Sequence, residues 1–302
     1  MLNWLTQIFA LTSFNLRTLP QRKGSAAAAL VGIAGVVAVF IGVLSIGQGF
    51  RRAMTGTGSP DTVMVLRAGA DSEMTSILMR EEVPVIEEAP GVARKGDKAL
   101  VSPELFVIVN LPKRSTGTDA NVPMRGVEPT AFDVREEIEI IEGRPFAWGR
   151  NEVIVGRGAL SEFRGIDLGS SLRFGQSSWT VVGVFAADGG ISESEIWADG
   201  AVLAPAYRRG DSYQTAVVKL ASAGSFQQFK DALTTDPRLS VQAVRETEYY
   251  AAQSRMLTRL ITGLGTLIAG MMAVGAVFGA LNTMYTAVAS RTREIAMLKA
   301  LG

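Results

Sequence analysis

The 302-residue chain contains no cysteine and no histidine. The first absence removes disulfides and thiolate chemistry, and leaves the redox compartment unreadable from thiols. The second removes the commonest general base, the Ser/His and Cys/His nucleophile pairs, and most zinc sites. Only carboxylates are left to act, so a membrane-anchored hydrolase is disfavoured, and no catalytic, cofactor-binding or metal-binding residue is assigned. The chain also lacks any G-x-x-x-x-G-K-[ST] stretch, and so has no phosphate-cradling loop with which to hydrolyse ATP. If ATP drives this protein, a partner supplies the ATPase. Gly156-Arg157-Gly158, after Val153-Ile154-Val155, starts like a dinucleotide fingerprint, but Glu162 and Phe163 follow where a third glycine is required. A tight strand-to-helix turn is the better reading. No nucleic-acid partner is expected.

Charge is missing from two long stretches of a chain that is otherwise 20% charged with a mean hydropathy of +0.22. Ser25 to Phe50 is 26 residues without a charge, and Leu260 to Ser290 is 31. At about 1.5 Å per residue each exceeds the roughly 30 Å hydrocarbon core of a bilayer. Two transmembrane helices are expected, over residues 25–50 and 258–289, with the lipid bilayer as a partner. The apolar part of the first, Ala26 to Ile46, is longer than a signal-peptide core, and Gly47-Gln48-Gly49-Phe50 offers no A-x-A cleavage pattern, so a retained anchor is expected.

The flanks suggest orientation. Residues 1–24 carry three basic residues and no acid, and residues 290–302 carry three basic residues against Glu294. Both ends are therefore expected in the cytoplasm. Residues 51–255 hold 23 basic and 28 acidic residues, a net charge of −5, and form the outer domain. Residues 1–24 space Leu5, Ile8, Phe9, Leu16 and Leu19 for an amphipathic helix along the inner membrane surface or against the protein's own cytoplasmic end.

In the outer domain, Thr62 to Arg67 reads as a strand, Ser72 to Arg80 as a helix, and Val92 onward as strand again after the Pro90-Gly91 turn. Gln214 to Leu220, Ser225 to Leu233 and Leu239 to Val244 read as strand, helix and strand. Two βαβ-like units thus bracket a middle section, about residues 130–208, with strands at Asn151 to Val155, Ser171 to Phe174 and Ser178 to Phe185. This section reads as an inserted β-rich subdomain. Glu246 to Met256 is helical and enters the second apolar run without a breaker, so movement outside could be transmitted along one rod. The fold class is α+β: two transmembrane helices flanking a large extracytoplasmic domain.

Three further features carry candidate function. Ala34, Ala38 and Gly42 in the first apolar run, and Gly275 and Gly279 in the second, recur four apart and offer close-packing faces to further helices or a second protomer. Glu193, Glu195 and Asp199 form an acidic cluster around Trp197; without a histidine a solvated face or hinge is favoured over catalysis. The last residues, SRTREIAMLKALG, set Ile295 and Leu298 together on a short helix with Arg291 and Glu294 at i, i+3 and Gly302 to end it. It is too short and charged to cross the bilayer and suits docking beneath it.

Asn282 through Gly302 resembles the segment that marks permeases of the MacB/FtsX type, ABC transporters also called mechanotransmitters. Pro90-Gly91-Val92, Gly126-Val127-Glu128-Pro129, Glu142-Gly143-Arg144-Pro145-Phe146, Glu152-Val153-Ile154-Val155-Gly156 and Trp179-Thr-Val-Val-Gly-Val are similar, in order, to that family's periplasmic core domain. The likeness covers essentially the whole chain. It implies that residues 290–302 are a coupling helix, with Arg291, Arg293, Glu294, Ile295, Leu298 and Lys299 touching a cytoplasmic ABC ATPase subunit. Ala296 stands where the family usually has glycine. It further implies a homodimer or paired permease, a periplasmic adaptor protein as a partner, and a place in the bacterial inner membrane. Family permeases have four transmembrane helices, so two more are expected after the coupling helix and the sequence reads as a fragment. The rival reading is a sensory receptor with one extracytoplasmic domain between two spans.

Overall fold

The computed structural model describes residues 6, 8, 9, 12, 23–55, 58–174, 177–289, 292, 296, 297 and 300. The amphipathic helix expected over 1–24 and the terminal helix expected over 290–302 fall almost entirely outside them. The chain divides into two compact units, Met1–Phe50 with Met256–Gly302, and Arg51–Arg255.

Ten strands form the main sheet of the second unit: β1 (Thr62–Arg67), β2 (Val101–Pro112), β3 (Asp119–Val127), β4 (Glu139–Gly143), β5 (Glu152–Gly156), β6 (Ser171–Phe174), β7 (Ser177–Ala186), β8 (Ile196–Asp199), β9 (Thr215–Lys219) and β10 (Val241–Arg245). The helices are α1 (Lys23–Thr55), α2 (Val83–Glu87), α3 (Ala131–Val134), α4 (Arg157–Glu162), α5 (Gly200–Ala206), α6 (Phe226–Thr235) and α7 (Glu246–Ala289). Strand order is β10-β1-β9-β2-β3-β8-β5-β7-β4, with β6 also paired to β7.

At one end of this order the two βαβ units interlock. β1 is antiparallel to both β9 and β10, and β9 is antiparallel to β2, so β1-α2-β2 and β9-α6-β10 are parallel crossovers, each with a strand of the other inserted. Such a strand is covered on both faces, which is why its sequence is an unbroken apolar run. In β1, Val63 and Val65 join the large core with Phe229 and Leu233 of α6. Met64 and Leu66, on the opposite face, pack against Tyr249 and Tyr250 from the first turns of α7.

The helix expected over 72–80 is not there. Glu73–Thr75 makes a single 3₁₀ turn, Leu78–Met79 pairs with Ser212–Tyr213, and the crossover helix begins later, at Val83. The cause is tertiary: Glu73 is buried with its carboxylate on Arg125, while Pro84 in the first turn of α2 presets helical backbone one element further on.

The middle strands run parallel where β3 meets β8 and where β5 meets β7. The glycines in the similar motifs mark where backbones touch. A Cβ on Gly143, which has φ +75°, would strike the Val182 carbonyl oxygen, and one on Gly183 would strike that of Arg144. Only glycine allows the β4 end and β7 to approach this closely.

Among the described residues, two helices are long and apolar enough to cross a membrane, with spans Leu30–Gly49 and Arg259–Thr286, both in the first unit. They meet at small residues. Gly265 lies against the Val43 side chain, and a Cβ on Gly47 would sit 3.8 Å from Thr262 Oγ1. Ala34, Ala38, Gly42, Gly275 and Gly279 are exposed along the helix surfaces, outside this crossing.

Candidate functional site

The densest chemistry in the outer unit is a knot of six buried charged side chains gathered from across the fold. Arg125 on β3 is at its centre and is fully buried. Its Nε donates to Glu195 Oε2 at 2.9 Å and Nη2 to Glu195 Oε1 at 2.8 Å, a two-pronged pair from β3 to the residue just before β8. Nη1 donates to Glu73 Oε1 and to Glu104 Oε2, each at 2.7 Å, reaching the 3₁₀ turn and β2. The guanidinium carbon lies 5.2 Å from the Phe106 ring centroid. The guanidinium fork, with five donors, can pair one carboxylate two-pronged and still reach two more.

Arg135, just after α3, extends the knot. Its Nη2 donates to Glu104 Oε2 at 3.1 Å, its Nη1 is 3.3 Å from Glu246 Oε1 at the start of α7, and its guanidinium lies 5.7 Å from the Trp197 ring centroid. Trp197 Nε1 in turn donates to Glu195 Oε2 at 2.8 Å. Burial alone would favour neutral guanidines, but the carboxylates outweigh it and hold both arginines charged. Burial likewise opposes the Glu195 charge, and Arg125 overcomes it, so that carboxyl sits below its ordinary range. Glu246 goes the other way: burial dominates over Arg135 and raises its pKa to about 7.

The acidic cluster is therefore not a solvated face. Glu195 belongs to the knot. Glu193 accepts from the backbone N–H groups of Ala187 and Gly189 and from Arg157, and Asp199 accepts from the N–H groups of Gly149 and Ala201, capping α5. Trp197 is a packing anchor, tilted against Phe132 and Phe185. Gly156 ends β5 directly before α4, and a Cβ there would strike the Glu193 carbonyl; this is the tight turn expected in place of a nucleotide loop.

These carboxylates are tied to arginines or backbone amides, an arrangement that fixes elements to one another. Sequence reasoning missed Glu73, Glu104, Arg125, Arg135 and Glu246. A faint signal existed in Glu104 and Arg125, charges flanked by apolar residues in Pro103-Glu104-Leu105-Phe106 and Val122-Pro123-Met124-Arg125-Gly126-Val127. The candidate ATPase contacts Arg291, Arg293, Glu294, Ile295, Leu298 and Lys299 lie outside the described residues.

The description of a MacB-like periplasmic core domain matches residues 26–236, more than two thirds of the chain. The chain belongs to this family, and with its two apolar helices it is a permease-type membrane component. Among solved structures, it is similar to the extracellular domain of the noncanonic ABC-type transporter YknZ from Gram-positive bacteria, at 18% identity and a TM-score of 0.45, over 61% of this chain and all of that one. It is also similar to the periplasmic region of MacB from Actinobacillus actinomycetemcomitans, at 12% identity and a TM-score of 0.46, over 65% of this chain and 93% of that one. A search of curated protein sequences returned no match.

Proposed function

We propose that this chain is the membrane subunit of an ATP-driven ABC exporter or mechanotransmitter, which couples ATP hydrolysis by a separate cytoplasmic subunit to movement of its periplasmic domain. The observation that carries this reading is that a single family match runs from Ala26, inside α1, to Asp236, so the first apolar helix and the outer unit form one inherited module. In this reading the protein resides in the bacterial inner membrane with residues 51–255 in the periplasm and both apolar helices ending in the cytoplasm. ATP hydrolysis then belongs to the partner subunit, and this chain supplies the moving parts. The exposed Ala34, Ala38, Gly42, Gly275 and Gly279 would pack against further helices or a second protomer. A periplasmic adaptor would complete the export path.

The coupling residues give the test. Leu298→Asp, or exchange of the charges at Arg293 and Glu294, should leave membrane insertion unchanged and reduce co-purification of a co-expressed ABC ATPase at least tenfold. Unchanged co-purification and ATP turnover would overturn the assignment of residues 290–302 as the coupling element.

A further inference from the structure

The knot does not balance. Two guanidiniums, Arg125 and Arg135, face four carboxyls, Glu73, Glu104, Glu195 and Glu246, all buried. Arg125 touches three of these carboxyls, and Glu246 is reached by a single ion pair to Arg135, whose charge is already shared with Glu104. An unneutralised carboxylate in a dry interior costs several kcal/mol, and the usual remedy is to bind a proton.

Glu246 also occupies a structural junction. It is the first residue of α7, and Gly58, in the segment leading into β1, lies directly on it: a Cβ on Gly58 would sit 2.7 Å from Glu246 Oε2. Gly58 also lines a cleft of about 440 Å³ with Ser59, Pro60, Glu137, Asp188 and Lys219. Gly58 thus adjoins both the carboxyl and a polar cleft roomy enough for several waters.

We propose that Glu246 is a proton-binding site, filled from the Gly58 cleft, that keeps the junction between the 58–62 segment and the start of α7 closed when protonated and loosens it when ionised. The groups facing it are Arg135 beyond α3, Glu137 beyond the same helix, Glu104 on β2, Arg125 on β3, and Tyr250 one turn along α7. Arg135 and Arg125 favour the ionised form; Glu137, Glu104 and burial favour the protonated one. Tyr250 remains neutral, since burial moves its phenol far above the usual range. The inference stands on the outer unit's own geometry and does not require the transport reading.

The sign is fixed by linkage. An unfolded glutamate releases its proton near pH 4.5 and Glu246 in the fold near pH 7. The stabilising retention of the proton is thus complete below about pH 4.5, declines as pH rises, and is gone above about pH 7.

The test uses the full chain in lipid nanodiscs between pH 5.5 and 8.5. Infrared difference spectra should show a protonated-carboxyl band lost on raising the pH, and Glu246→Gln should abolish that loss. Hydrogen exchange, normalised to the intrinsic rate at each pH, should speed up at least fivefold in peptides covering 58–62 and 246–253 in the wild type at high pH. In Glu246→Gln, a mimic of the protonated form, exchange should stay slow throughout. A carboxyl band lost equally in both proteins, or exchange with the same pH profile in both, overturns the proposal. As a second variant, Glu137→Gln removes a neighbouring negative charge and should move the infrared midpoint to lower pH; an unmoved midpoint also overturns it.

Discussion

The two units of this molecule treat charge in opposite ways. In the membrane unit, large apolar side chains such as Leu30, Leu264 and Phe278 are 60 to 71% exposed, and the spans Leu30–Gly49 and Arg259–Thr286 carry no charge beyond Arg259 at the edge of the second. In the outer unit the most buried side chains include two arginines and four glutamates. Each unit would be unstable in the other's solvent. Apolar surface of the first kind is tolerable only in lipid, and charge of the second kind only where every guanidinium meets carboxylates. The outer unit joins its sheet to α7 through ion pairs, whereas the membrane helices touch at Gly265 and Val43 through close backbone approach.

Removing the centre of the knot should produce the largest effect. Arg125→Ala leaves Glu73, Glu104 and Glu195 without their shared partner, and breaking a buried pair on one side costs about 3–5 kcal/mol. Denaturant unfolding followed by the fluorescence of buried Trp179 and Trp197 would read this loss. A cost below about 1 kcal/mol would mean that water reaches the knot and that the contrast between the units is smaller than drawn.

The mirror experiment inserts a charge where the protein has none. Met271 is 61% exposed near the middle of the second span, and Met271→Arg should cost about 3 kcal/mol on the insertion scale for arginine at a helix centre. The membrane-integrated fraction after alkaline extraction measures it. A much smaller penalty would show that this face lines a polar space between subunits and does not face lipid.

Legibility in the sequence followed the same division. The apolar helices were visible because lipid demands long uncharged runs, and β1 and β9 because strands covered on both faces are continuously apolar between turn residues. The helix wrongly expected at 72–80 and the solvated-face half of the solvated face or hinge expected at 193–199 fail from one cause. Glu73 and Glu195 are committed to Arg125, which lies 52 and 70 residues away along the chain. No local pattern announces a partner at that distance; local propensity treats each glutamate as a surface residue, and only the strand order reveals otherwise. Glu246 was similarly read as the start of a helix, and its contact with Arg135 follows from the packing of α7 under β1. The glycines at 143, 156 and 183 were visible as motif letters, but their reason, carbonyl oxygens pressed against them, is a tertiary fact.

The smallest expected effect sharpens the comparison by keeping the chemistry and changing only the solvent. Arg80 and Asp211 form an ion pair at 3.2 Å, of the same residue classes as the Arg125 pairs, with side chains 63 and 84% exposed. Water screens the attraction and each side chain loses rotamer freedom to keep it, so a double-mutant cycle of Arg80→Ala and Asp211→Ala should give a coupling of about 0–1 kcal/mol. The Arg80 guanidinium also lies over the Tyr213 ring, at 5.7 Å to its centroid, and that contact survives Asp211→Ala and drops out of the coupling term. A coupling as large as the cost of Arg125→Ala would mean that the number of carboxylates around an arginine, and not its removal from water, sets the strength of these pairs.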